Sequence, residues 1–97
     1  GSLTCGIFYS TYFYLLEDYE KVQFYNLIGS MIRVWEEAYF QFDSGRLDEE
    51  IWETMVAQYS ELMAMQIMPK YWEFHKHLYA KRFSAYVEGI GIGEHKI

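Results

Sequence analysis

This 97-residue chain is poor in cysteine, with one, in proline, with one, and in basic residues, with eight. Each scarcity closes off a class of protein. Cys5 alone can form no intrachain disulfide, so a cystine-stapled scaffold is excluded. An unpaired thiol is also compatible with a reducing compartment. A sole proline, Pro69, argues against a loop-rich fold. Eight Lys and Arg stand against fourteen Asp and Glu, for a net charge of −6. Such an acidic balance cannot displace the counterions of a nucleic acid, and no nucleic-acid partner is expected. The uncharged run Leu3–Leu16 is fourteen residues long. That falls short of the ~20 residues that cross a bilayer as a helix.

What the chain has in abundance is apolar and aromatic side chains, at 52% and 21% of residues. They are arranged in two rows. Phe8, Tyr12, Leu15, Tyr19 and Val22 follow alternating steps of four and three. Phe24, Ile28, Met31, Trp35, Ala38 and Phe42 repeat the rhythm, displaced by two residues. On a helix two residues are about 200° of rotation, so a continuous helix turns one apolar face early and the opposite face late. A small lone domain needs one such face per helix. The second face calls for another surface: a sister subunit, a membrane, or a further part of the chain. Leu3–Leu16 accordingly admits three readings, as a buried helix, an oligomer contact, or the truncated end of a membrane segment.

The spacing predicts an all-α fold, a small helical bundle. A long first helix begins near Tyr9 or Asp18 and ends at Phe42, with a break or bend near residue 23 as the alternative to a continuous rod. Asp43-Ser44-Gly45-Arg46 is a turn, with Gly45 suited to the left-handed backbone that ends helices. Asp48 reads as the N-cap of a second helix, with Glu49 and Glu50 at its positive end and Leu47 and Trp52 as a hydrophobic staple. So short a connection predicts that the second helix lies antiparallel to the first. It carries Ile51, Trp52, Met55, Val56, Tyr59, Leu62 and Met63 on one arc. Pro69 opens a third helix with Tyr71, Trp72, His75, Leu78 and Tyr79 facing inward. A short fourth helix, Arg82 to Glu88, offers Phe83, Tyr86 and Val87. Gly1-Ser2 reads as a cloning remnant, residues 3–88 as one helical domain and 89–97 as a flexible tail.

No catalytic, cofactor or metal signature emerges. His75 and His77 lie two apart, on opposite sides of a helix, and cannot share a metal. His75 reads as a hydrogen-bonded core histidine, with proton transfer to a nearby carboxylate as the lesser reading. Glu73 and His77 are spaced for a surface pair, with no third ligand. Glu36 and Glu37 fall on the polar side, and the acidic turn from Asp43 to Glu53 fails the calcium-loop pattern. Gly89, Gly91 and Gly93 follow a helix where a phosphate loop would open one. Met55, Met63, Met65 and Met68 fit a core, or a groove for an apolar small molecule. Lys70, Lys76, Lys81 and Arg82 fit a solvated face, or an anionic contact. Phe40 stands on the polar side, in phase with the early row. It is either a partner contact or covered by the third or fourth helix.

The residues Tyr39-Phe40-Gln41, Gly45-Arg46-Leu47-Asp48-Glu49-Glu50-Ile51-Trp52, Trp72 and Phe83-Ser84-Ala85-Tyr86-Val87 resemble a group of small bacterial proteins without assigned function. The similar region spans residues 33 to 87 and in that group follows one or two membrane-spanning helices. The resemblance implies a helical fold and a membrane tether. It carries over no catalytic residue. The expected location is the cytoplasm, or the cytoplasmic side of the bacterial inner membrane. The opposed rows and the uncharged Leu3–Leu16 run make the expected function a noncatalytic interaction or oligomerisation module, with an apolar small-molecule-binding protein or an enzyme using His75 and a carboxylate as alternatives. The chain is expected to be homo-oligomeric through Phe8, Tyr12, Leu15, Tyr19, Val22 and Phe40, without a cofactor.

Overall fold

In the computed structural model the described residues are 18–93, and among them all regular structure is helical. The order is α1 (Asp18–Asp43), α2 (Glu49–Met63), α3 (Met68–His75), a 3₁₀ turn (Lys76–Leu78) and α4 (Lys81–Ile90). Helix α1 passes residue 23 without interruption, so the break considered there is absent. It also passes Gly29-Ser30. There the Ser30 hydroxyl donates to the Asn26 carbonyl at 3.0 Å. A Cβ on Gly29 would stand 3.2 Å from the Tyr71 hydroxyl, so glycine lets α3 press close on α1.

The turn forms as its residues dictate. Gly45 takes φ 77°, which a side chain would resist. The Asp48 carboxylate accepts from the backbone N–H groups of Glu50 at 2.9 Å and Ile51 at 3.3 Å, capping α2. Pro69 sits in the first turn of α3, where a missing N–H costs no helical bond. Helix α4 extends two residues beyond the expected Glu88. Gly89 and Ile90, read from sequence as tail, are thus helical. Beyond them the Gly93 N–H donates to the Met63 carbonyl at 2.8 Å, and Ile92 packs on the core.

The core is built around Trp35. Its indole stacks on Tyr59 at 4.8 Å and meets Phe83 and Tyr86 edge-on at 5.3 and 5.8 Å. Ile28, Ile32, Met63, Met68, Tyr71, Trp72 and Val87 complete the dry interior. Phe42 stacks on Trp52 at 5.1 Å. The Trp72 indole N–H donates to Glu88 at 2.9 Å, whereas the buried Trp35 N–H meets no acceptor.

Several expectations are corrected by the packing. Met31 was placed inward, yet it is 40% exposed, while Ile32 is fully buried. The reason is that α1 has neighbours on two sides. The rings of α2 lie along Trp35 and Phe42, and Tyr71 and Tyr79 lie against Gly29. The buried arc is centred between them, on Ile32 rather than Met31. The third helix also stops early. After His75 the backbone tightens into the 3₁₀ turn, and Tyr79 is extended.

That change of direction is held by Glu36, which is buried, not solvated. Its carboxylate accepts from the Arg33 guanidinium at 2.6 Å and from the Ala80 backbone N–H at 2.7 Å. Ala80 is the N-cap residue of α4 and has no side-chain cap of its own. Negative charge at this helix end also suits the helix dipole. Arg33 continues the clamp, donating to the Leu78 carbonyl at 3.2 Å and lying 4.8 Å over the Tyr79 ring.

Urea unfolding should show Trp35→Ala less stable by about 3–5 kcal/mol, the cost of emptying a buried aromatic site. Trp35→Phe should lose less, because it also deletes an N–H that has no acceptor. In the same assay Glu36→Ala should cost about 1.5–3 kcal/mol, as charge-assisted hydrogen bonds to a buried carboxylate do.

Candidate interaction surface

The residues singled out from the sequence fall into three groups. Phe8, Tyr12 and Leu15 lie outside the described residues. Tyr19 and Val22 lie on the first turns of α1, 72% and 58% exposed, on the same helix that buries Ile28, Ile32 and Trp35. Three-residue and four-residue steps place this pair well round the helix from the buried arc. Phe40 stands apart from both. It is half-buried, edge-on to Tyr39 at 5.1 Å, with the Arg82 guanidinium 5.0 Å above its ring. Arg82 in turn pairs with Asp43 at 2.8 Å, which fixes the cation over Phe40. Phe40 is therefore partly covered by the chain's own fourth helix.

His75 is half-buried, stacked on Tyr71 at 4.3 Å and 5.1 Å from Tyr25. Its Nδ1 lies 2.8 Å from the Tyr71 carbonyl oxygen, which accepts the ring proton. A ring held so is packed and oriented by its own helix. Glu73 meets Lys76 at 3.6 Å and not His77. Among the described residues no three His, Cys, Asp or Glu side chains converge as metal ligands. Met63 and Met68 are fully buried and Met55 and Met65 half-buried, all packed in or on the core. The basic side chains are dispersed: Lys76 lies 4.0 Å from Glu88, and Arg82 faces Asp43.

A surface hollow of about 450 Å³ opens beside the clamp, lined by Arg33, Glu36, Phe40, Arg46 and Ala80 among others. Both Glu36 oxygens already accept hydrogen bonds. Glu36 thus enters the hollow as a satisfied carboxylate, beside the exposed Glu37 and the Ser44 hydroxyl, which donates to the Gln41 carbonyl at 3.1 Å. Its Glu36 was unreadable as a buried group because a Glu-Glu pair looks solvated until the start of α4 is laid against it.

More informative are apolar side chains outside the core. Leu27, Met31, Val34 and Ile51 are exposed on α1 and α2, and Phe74 and Leu78 on α3 and the turn after it. Leu78 and Ile51 were expected inside. Phe74 gave no signal, because a lone aromatic between Glu73 and His75 carries no periodicity. Comparison with protein-family models, with curated proteins and with solved structures finds no match to this chain.

The tyrosines supply the electrostatic signature of the interior. Burial first, then the 2.8 Å hydrogen bond with Tyr71, pushes the Tyr79 hydroxyl far above its ordinary value of 10.0. Burial raises Tyr59 and Tyr86 as well. A raised native pKa means the unfolded chain releases its proton first. Stability from these groups is thus whole below pH ~10 and falls as pH rises toward the native values. An absorbance titration should show some tyrosines ionising only together with loss of the helical circular-dichroism signal. Tyr79→Phe should shift that alkaline transition.

Proposed function

We propose that this chain is a noncatalytic helical interaction module that associates with copies of itself through its leading segment. The observation that carries the reading is the division of labour on α1. Tyr19 and Val22, the last two members of the early apolar row, are exposed, while the later row closes the domain's own interior. A domain already provided with a dry core has no internal use for them. Burying them between copies would recover the apolar free energy that exposure forfeits, about 25 cal/mol per Å².

In this reading α1 and α2 form an antiparallel pair, with α3 and α4 closing the bundle. The opposed order of contacts supports it: Phe42 meets Trp52, while Met31 and Trp35 meet Tyr59. The module would belong to the cytoplasmic part of a bacterial membrane protein, tethered ahead of the leading segment. None of the helices among the described residues is long and apolar enough to cross a membrane. A tether would therefore lie elsewhere in the protein.

Multi-angle light scattering tests the proposal. The chain should elute as a dimer or larger species, and Tyr19→Glu with Val22→Glu should shift it toward monomer while leaving helix content unchanged. A strict monomer, with Tyr19 and Val22 freely accessible to surface labelling, would refute it.

A further inference from the structure

Two of the stray apolar side chains outside α1 stand on the flank that the early row enters. Contacts between α1 and the α3 segment advance in the same direction along both. Tyr25 meets Tyr71 and His75, Gly29 abuts the Tyr71 hydroxyl, and Arg33 reaches Leu78 and Tyr79. Val22 precedes Gly29 by two turns, on nearly the same line of α1. Phe74 lies about 60° round α3 from Tyr71, on the side away from the buried Trp72. Val22, Asn26 and Phe74 therefore share one solvent-facing flank, and the Leu78 backbone, held by Arg33, follows further along α1. Phe74 is 63% exposed and Leu78 53%.

We infer that this flank receives the leading segment of a second copy of the chain, whose Phe8, Tyr12 and Leu15 pack against Phe74 and Leu78. The inference rests on the self-association reading and names its surface. Its first support is register. Seventeen residues precede Asp18 and carry the early row up to Tyr19 and Val22. If the early row extends the helix ahead of Asp18, two such rows crossing antiparallel about Tyr19 and Val22 bring residues 8–15 of one copy beside residues 26–33 of the other. That is where the row on α1 turns polar, at Asn26 and Arg33, and where Phe74 and Leu78 stand alongside. The α3 segment thus supplies the apolar contacts that α1 discontinues.

The second support is charge. A chain of net charge −6 repels its own copies over most of its surface. On this flank Tyr19, Val22, Asn26, Phe74 and Leu78 are uncharged, Arg33 is paired with Glu36 at 2.6 Å, and the nearest exposed charges, Asp18 and Lys70, are of opposite sign. Two copies can approach here at less like-charge cost than at the acidic turn from Asp43 to Glu53. The third is symmetry. In a two-fold pair each copy both offers its leading row and receives one, so a single patch serves both roles.

The test uses the whole chain in sedimentation equilibrium. Phe74→Glu with Leu78→Glu should weaken the dimer at least roughly tenfold, a loss of about 1.4 kcal/mol. Leu27→Glu, exposed on another side of α1, should leave it unchanged. Should the Phe74 and Leu78 pair be neutral while Tyr19→Glu and Val22→Glu dissociate the dimer, self-association stands and this docking surface falls. A wild-type monomer overturns both. A wild-type monomer that floats with phosphatidylglycerol vesicles through Phe74 makes the flank a membrane contact and overturns the dimer. Should the double variant not fold, a photo-cross-linking residue at position 74 gives the answer in mixed light and isotope-labelled chains. Links to residues 8–15 of the other isotope support the inference; links confined to one isotope refute it.

Discussion

The carboxylate of Glu36 is the point at which separate parts of this fold become one. It faces two donors that belong to different stretches of chain, Arg33 one turn before it on α1 and the backbone of Ala80 at the entrance to α4. A buried carboxylate is costly unless its oxygens are satisfied, and here each oxygen has a donor. The same contact gives α4 the N-terminal anion that its own sequence lacks, since Ala80 has no capping side chain. Arg33 adds the Leu78 carbonyl and the Tyr79 ring, so the clamp also fixes the 3₁₀ turn.

With α4 anchored there, the aromatic interior follows. Phe83 and Tyr86 come from α4 and meet Trp35 edge-on while Tyr59 stacks on it from α2. Tyr71 and Tyr79 join hydroxyls at 2.8 Å across the end of α3, one donating and the other accepting. Helix α1 touches all of this along one arc, bounded on one side by α2 and on the other by α3. Among the described residues, Tyr19, Val22, Leu27, Met31 and Val34 are exposed round the rest of it. The described residues reach closure with less than their full stock of apolar side chains, and the surplus stays on the outside of α1, α2, α3 and the turn after it.

Local features were legible in the residues. Gly45 and Asp48 act through their own backbone and neighbours within three positions, so turn and cap could be read directly. Pro69 at the start of α3 is of the same kind. The core row was read correctly at Ile28, Trp35 and Ala38 but took in Met31 and missed Ile32, because periodicity describes one helix and the burial of α1 depends on two neighbours. Phe40, Glu36 and Phe74 were opaque for the same reason. Whether Phe40 is covered depends on Arg82, forty-two residues later, and Arg82 is held there by Asp43.

Sequence alone determined the all-helical class, the order of the main elements and the presence of two apolar rows in the chain, because these depend on rotation per residue and local capping. Only tertiary structure decided which glutamate is buried, where α3 yields to the 3₁₀ turn, and which apolar side chains remain outside. Those outcomes depend on contacts between residues some forty positions apart, such as Glu36 with Ala80. No periodicity along the chain encodes a distance between two helices.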